Sequence, residues 1–352
     1  MGGLINPATR DEVIATVNQQ YAEVRRQRAE KNESRVLLPL AEARANGLAL
    51  DWSEYRPPAP KQVGVHRVTA TIAELREVVD WTPFFHTWRL PGSWPAILDD
   101  PETGAEARRL VDEANALLDT WEKDGSVSAH GVAGLLPAAR DGDDLVFETP
   151  AGAQRVPFLR QQRRSAGGRP NLSLVDFVAP KDGPADWVGG FVVTVRGAGV
   201  LADAREAAGD DYDSILIKAV ADRLAEAFAE HLHRRVRTEL WGYAADEDLD
   251  NTALVAEGYR GIRPAPGYPA CPDHYGKHAL FELLDAAAAT GVELTENWAM
   301  TPAASVAGWY FSHAEARYFG MGRLGRDQVA DYARRAGLDE ETAARWLGAN
   351  LD

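Results

Sequence analysis

The sequence holds a single cysteine, Cys271, in 352 residues, so no disulfide can form within the chain and a reducing compartment suits it. It has no run approaching eighteen apolar residues, which excludes a spanning helix by hydropathy. Its first residues, Met1-Gly2-Gly3, open no charged-then-apolar leader pattern. A soluble cytoplasmic protein is the expectation. Positive charge is also scarce: 38 Lys and Arg stand against 53 Asp and Glu, a formal −15. Nucleic acid and anionic membrane surfaces both require a basic footprint, so neither is expected as a partner. No internal repeat and no low-complexity tract occurs. What is plentiful is apolar material, 45% of residues beside 26% charged, a composition that fits one large or two modest globular domains.

The acidity is uneven. The first 60 residues carry eight basic and eight acidic side chains, so the whole excess lies on residues 61–352. Val13, Val17, Tyr21 and Val24 recur at helical spacing and predict a helix from about Asp11 to Asn32, followed by a short apolar piece, Val36–Leu50. Pro57, Pro58 and Pro60 then impose a stiff extended spacer. Residues 1–64 therefore read as a helical, proline-rich linker, whose helix should pack weakly or rest on the main domain's edge, and residues 65–352 as the main domain. Within the latter the patterns predict helices near Thr71–Val79, Ala105–Trp121, Gln328–Ala336 and Glu340–Leu347, the longest being Ser214–Tyr243. A hairpin is predicted over Asp144–Val156, with further strands at Asn171–Val178, Trp187–Val195, Ser305–Ser312 and Arg317–Met321. Strand pairs on short turns with helices grouped around them favour an α+β fold over an alternating parallel sheet.

Several motifs invite chemistry. Gly320-Met321-Gly322-Arg323-Leu324-Gly325 matches the dinucleotide pattern, yet only 27 residues follow it, too few to complete a βαβ unit. Cys271, His274 and His278 have a spacing that suits zinc, but prolines and a glycine interrupt them and no second cysteine exists; polar residues of a surface loop are the plainer reading. His231 and His233 lie two apart on a helix and face different ways. Asp222 and Glu226 lie four apart and share a face, either as a solvated stripe or as a carboxylate pair lining a cleft. Arg263-Pro264-Ala265-Pro266-Gly267-Tyr268-Pro269 is a rigid loop: two prolines fix the backbone and Gly267 permits positive φ. Such loops suit binding because they are ordered beforehand. Asp80-Trp81-Thr82-Pro83-Phe84-Phe85 sets a carboxylate beside three aromatics.

Taken with Asp176-Phe177-Val178-Ala179-Pro180-Lys181, Ala221–Ala227, Trp241-Gly242-Tyr243, Gly261–Pro272, Gly308–His313 and Arg326-Asp327-Gln328-Val329, these segments resemble the C-terminal, S-adenosylmethionine-binding reactivation domain of cobalamin-dependent methionine synthase. The likeness spans about residues 66–350, and Leu38–Arg44 resembles the linker that joins the family's cobalamin domain to it. The resemblance implies a C-shaped single α+β domain with a central twisted antiparallel sheet. It implies a methyltransferase component that binds S-adenosylmethionine and presents the methyl group to reduced cobalamin on a neighbouring domain, reactivating the enzyme within methionine biosynthesis.

Carried over by position, Asp80, Glu226, Arg263, Ala265, Tyr268, Tyr318 and Phe319 would contact S-adenosylmethionine, and Asp222 the cobalamin domain. Many members have tyrosine where Phe319 stands. Because reduced cobalt attacks the methyl group directly, no catalytic acid or base is expected. Implied partners are the cobalamin domain and a flavodoxin-type electron donor. The cobalamin signature D-x-H-x-x-G is absent, Asp273-His274-Tyr275-Gly276 failing its spacing, so this chain should neither hold cobalamin nor make methionine unaided. Either a fragment beginning in the linker or a stand-alone subunit is expected. The competing classes are an S-adenosylmethionine-binding interaction module without turnover and a conventional methyltransferase. The latter requires an early Gly-rich loop that does not occur.

Overall fold

The computed structural model describes residues 36–150, 152–164 and 167–351; the expected helix over Asp11–Asn32 lies outside them. Contacts group the chain into two units. The larger comprises Leu50–Phe158 and Leu174–Gly320, and the smaller the described residues of Met1–Ala49, Leu159–Ser173 and Met321–Asp352. In chain order the strands are β1 (Gly64–Ala70), β2 (Ser128–Asp141), β3 (Asp144–Thr149), β4 (Gly152–Pro157), β5 (Trp187–Arg196), β6 (Glu293–Leu294), β7 (Met300–Thr301) and β8 (Ser305–Tyr310). The helices are α1 (Leu40–Ala45), α2 (Ile72–Arg76), α3 (Thr82–Thr87), α4 (Gly104–Asp124), α5 (Ala198–Ala207), α6 (Asp211–Arg235), α7 (Asn251–Val255), α8 (Gly276–Leu284), α9 (Ala286–Thr290), α10 (Arg326–Ala336) and α11 (Glu340–Trp346).

The larger unit is built on an open antiparallel sheet of order β4-β3-β2-β5-β8, with β1 also on β2. Strand β2 serves two neighbours along one side: Ala129–Leu135 pair with β1, and Ala138–Asp141 with β3. Its other side pairs with β5 from Ser128↔Arg196 to Pro137↔Trp187. Sequence patterning misses both β1 and β2. Gly131–Leu135 of β2 are buried in succession, hence on both faces, so this stretch has no polar–apolar alternation, and Gly131, Gly134 and Pro137 interrupt the strand. Glycine at 131 is a packing requirement, because a Cβ there would come within 2.9 Å of Val193 and 3.1 Å of Val68.

Helix α6 covers the sheet. Asp210 caps it by accepting from the Asp213 N–H at 3.1 Å, acidic Asp211 and Asp213 occupy its first turn, and His233, Arg234 and Arg235 its last. Ile217, Val220, Leu224, Phe228 and Leu232 recur on one buried face, each contributing about 1.5–3 kcal/mol by leaving water. The predicted helix to Tyr243 ends earlier, passing into a π-helical turn over Val236–Leu240. Helix α2 begins in a capping box between Thr71 and Glu74. Trp81, Phe84 and Phe85 enter the core. The Trp241 indole N–H donates to the Pro58 carbonyl at 2.6 Å, so the proline segment lies against the larger unit.

Two predicted strands are corrected. Over Asn171–Val178 the chain instead makes a 3-10 turn, Leu174–Phe177, and the Val178 N–H returns to the Val175 carbonyl at 3.1 Å. A short buried apolar run looks alike in either conformation. Arg317–Met321 has no regular structure and leads into Gly322 at φ +74°.

In the smaller unit, Leu40 and Ala43 of α1 are buried, and the Leu40 N–H donates to Asp327 at 2.6 Å. Asp331 gathers Arg44 at 2.5 Å, Arg334 at 2.6 Å and Arg335 at 2.8 Å. These contacts hold α1 against α10, while the helix expected to pack weakly, Asp11–Asn32, lies outside the described residues. The dinucleotide-like glycines carry no nucleotide loop. The Gly325 N–H donates to Gln162 at 2.8 Å as α10 begins, and each pair of the strands named above is antiparallel.

Burial opposes the Asp331 charge, but the three guanidiniums outweigh it and hold the carboxyl at about 2, against 3.8 ordinarily. A carboxyl depressed in the folded state adds stability above its unfolded pKa and loses it as pH falls through the folded value. Asp331→Asn should therefore cost about 1–2 kcal/mol at pH 6, after allowance for partial solvent screening. The deficit against wild type should shrink between pH 4 and pH 2, as read from urea midpoints at each pH.

Candidate functional site

Within the larger unit lies a cavity of about 510 Å³, and every residue lining it belongs to that unit. The sheet contributes Phe191 of β5 and Val306 of β8, and α6 contributes Glu226. The predicted rigid loop contributes Arg263, Pro264, Ala265 and Tyr268.

That loop is fastened to the open edge of β8. Ile262 and Phe311 form an antiparallel bridge, exchanging N–H···O bonds of 3.0 and 3.1 Å, and the Trp309 N–H donates to the Pro264 carbonyl at 2.9 Å. The approach is close enough to require glycine opposite, since a Cβ on Gly308 would stand 2.7 Å from the Phe191 ring and 3.0 Å from the Pro264 oxygen. The far end closes on itself, with Tyr268 N–H donating to Ala265 O at 3.1 Å and Gly267 N–H to Cys271 O at 2.7 Å. Gly267 has the predicted positive φ, +99°. The Arg263 N–H donates to the Tyr318 hydroxyl at 2.9 Å, which ties the segment carrying Tyr318 and Phe319 to the loop.

The cavity is charged. Burial pushes the Glu226 carboxyl above its ordinary pKa, with Arg263 and Arg223 pulling the other way. The Tyr268 hydroxyl reaches Glu226 at 3.5 Å, and the negative charge of Glu226 chiefly raises that phenol's pKa. Glu257 also lines the cavity. It sits just past α7 at φ +56°, a left-handed conformation unusual for a side chain with a Cβ, and burial raises its carboxyl while Arg263 opposes. Burial works against the charge of Arg263, but Glu230, at 2.7 Å, overcomes it and keeps the guanidinium firmly protonated.

Six of the residues singled out from sequence thus share one cavity: Glu226, Arg263, Ala265, Tyr268, Tyr318 and Phe319. Asp80 does not line it. Its carboxylate accepts from the Thr82 N–H at 2.9 Å at the start of α3. Asp222 is exposed, one turn before Glu226 on α6, and pairs with Arg223. Sequence reasoning missed Glu257, Phe191 and Val306. The last two are ordinary core residues by type, and Glu257 has no local signal beyond an acid preceding a glycine. His274 is held by Lys277 Nζ at 2.7 Å, while Cys271 is buried with its thiol pKa raised by that burial. Among the described residues no group of three or more His, Cys, Asp or Glu is placed to ligate a metal. No described helix is long and apolar enough to cross a membrane.

The open antiparallel sheet, its covering helices and the cavity beside the sheet edge define an α+β domain with a pocket that is mostly apolar and carries one arginine and two carboxylates. Residues 71–337 match the family described as vitamin B12 dependent methionine synthase, activation domain, and the chain belongs to that family. It is also similar to a protein of known structure, the MetH reactivation domain crystallised bound to AdoHcy. Identity is 49%, the match covers 90% of this chain and 98% of that one, and the TM-score is 0.87. The resemblance carried by the sequence motifs is borne out, as is the α+β fold with its antiparallel sheet.

Gly308→Ala should force the Pro264 carbonyl and the Phe191 ring apart. A loss of about 1–3 kcal/mol is expected from such overpacking, read as a lower melting temperature, whereas Gly320→Ala, with nothing within 4 Å of its added Cβ, should melt as wild type.

Proposed function

We propose that this cavity binds S-adenosylmethionine and that the domain presents its methyl group to reduced cobalamin on a neighbouring domain, restoring a cobalamin-dependent methionine synthase to activity. The observation that carries the reading is the placement of one arginine and two carboxylates around a single pocket. S-adenosylmethionine has an α-carboxylate, an α-ammonium and a sulfonium. Arg263 suits the carboxylate, since a guanidinium forks onto such a group, and Glu226 and Glu257 suit the cationic centres. Similarity to a domain bound to AdoHcy supports the same ligand class here.

Cobalamin held by the partner domain would supply the nucleophile that displaces S-adenosylhomocysteine. This chain's work is then to bind, orient and exclude water, and it provides no acid or base. Ala265, Tyr268, Tyr318 and Phe319 would frame the remainder of the ligand, and Phe319 offers a ring without a hydroxyl. Asp222, exposed beside the cavity on α6, is proposed to meet the cobalamin domain, and a flavodoxin-type protein to deliver the electron. Asp80 would reach the ligand only from outside the described cavity. The proposed division keeps residues 1–64 as linker and 65–352 as the binding domain.

Remethylation of reduced cobalamin, with the cobalamin domain and a low-potential donor supplied in trans, tests turnover. Tight S-adenosylmethionine binding without remethylation would leave only an interaction module. Arg263→Ala should weaken S-adenosylhomocysteine binding by about 1.5–3 kcal/mol, the usual scale for a charged hydrogen bond, as measured by calorimetry; unchanged affinity removes Arg263 from the site. The raised carboxyl of Glu226 gives a pH signature. As pH falls through its folded pKa, above the ordinary 4.5, protonation removes a negative charge and S-adenosylmethionine affinity should drop. Glu226→Gln should bind weakly at pH 7 and show a smaller step, the remainder belonging to Glu257, whose carboxyl burial also raises.

A further inference from the structure

Behind the cavity, Arg263 ends a series of alternating charge whose other members the proposed function does not use. Glu230 stands one turn beyond Glu226 on α6, its side chain only 10% exposed. One of its oxygens accepts from Arg263 Nη2 at 2.7 Å, and the other lies 3.7 Å from Arg237 Nη1. Arg237 is fully buried and forks onto Glu247, Nε at 2.8 Å and Nη2 at 2.6 Å. Its guanidinium also lies 4.2 Å over the Tyr259 ring. The series Glu247–Arg237–Glu230–Arg263 therefore starts in the core and ends on the cavity, which Arg263 lines and Glu230 does not.

Such a series is a poor device for stability alone. Withdrawing each charge from water costs several kcal/mol, which pairing barely recovers, and apolar residues of equal volume often serve as well or better. The geometry here is imperfect besides: Glu230 Oε1, Arg237 Nη1 and Arg263 Nε are buried without a hydrogen-bond partner. What the series does accomplish is directional. Glu230 takes one terminal nitrogen of Arg263, leaving Nη1 with no partner among the described residues on a side chain that is still 22% accessible.

We propose that Glu230 is a positioning residue: it grips one edge of the Arg263 guanidinium so that the free edge meets the α-carboxylate of the ligand. This rests on the S-adenosyl reading of the cavity. Arg237, clamped by Glu247, fixes Glu230 from behind. An arginine so held loses little rotamer freedom when the carboxylate arrives, and its planar fork is aimed before binding. Glu230→Gln keeps the shape but exchanges a charged acceptor for an amide that faces two guanidiniums.

Calorimetry on the full chain compares S-adenosylhomocysteine with 5′-methylthioadenosine, which keeps the adenosine and the thioether but lacks the amino-acid arm, α-carboxylate and α-ammonium together. Wild-type protein is expected to prefer the former. Binding of neither compound would sink the S-adenosyl reading itself, and binding of both without preference would remove the carboxylate contact and Glu230's role with it. Given the preference, Glu230→Gln should shrink it about tenfold or more while methylthioadenosine affinity stays within about twofold. General damage to the fold would lower both affinities together, so an unchanged ratio overturns the proposal. Should Glu230→Gln fail to fold, Glu230→Asp decides. It keeps the charge that neutralises both arginines but withdraws the acceptor by one methylene, and the ratio should fall about threefold. A wild-type ratio in that variant overturns the proposal.

Discussion

The open edge of β8 is the constraint on which the site depends. An edge strand presents unpaired N–H and C=O groups that must be satisfied by water, a covering segment or another chain. Here β5 takes one side of β8, and the segment around Ile262 and Pro264 takes the other, through the Phe311 bridge and the Trp309 N–H. That segment contains Pro264, which could not donate in a ladder, but it is required only to accept. The loop is thereby fixed in register, so Arg263, Ala265 and Tyr268 come to the cavity on backbone already ordered by the sheet.

Helix α6 supplies the second coordinate. Its inner face is fixed by the core, with Val220, Leu224 and Phe228 buried, and the neighbouring stripe holds Asp222, Glu226 and Glu230 at four-residue steps. Those three carboxylates run from solvent, through the cavity, to the buried arginines. One helical period thus sets three carboxylates in three dielectric environments. Sliding α6 by a residue would turn the stripe about 100° away, so the apolar packing that determines the fold also determines which carboxylate does what.

Much of this could be read from the residues. Pro264, Pro266 and Gly267 declare a rigid loop in any context, because ring closure and a missing Cβ act locally. The spacing of Ile217, Val220, Leu224 and Phe228 likewise declares a buried helix. What escaped notice was written in tertiary terms. Strand β2 is buried on both faces over Gly131–Leu135, so that stretch lacks alternation, and its glycines are dictated by Val193 and Val68 at Gly131 and by Leu284 at Gly134. Leu174–Phe177 looked extended because burial, not periodicity, selects its residues. Glu257 reaches the cavity only through a left-handed turn after a five-residue helix, a path that no local pattern announces. The pairing of Arg263 with Glu230 joins positions 33 residues apart, and nothing at either position announces the other.

The charge balance of the cavity bears on which ligand state it favours. Arg263 and the two lining carboxylates, Glu226 and Glu257, leave one net negative charge if both are ionised, and Arg263 is already neutralised from behind by Glu230. Burial makes the Glu226 charge expensive, which raises its proton affinity. On the proposed reading, S-adenosylmethionine brings two cationic centres and one carboxylate, a net positive charge, whereas the demethylated product lacks the sulfonium and is net neutral. The cost of holding Glu226 ionised is therefore offset while the methyl group is present and returns once it has gone. A cavity of this kind relaxes its hold on the product for an electrostatic reason that requires no movement of the loop, and the rigidity imposed by the β8 edge is then no obstacle to release.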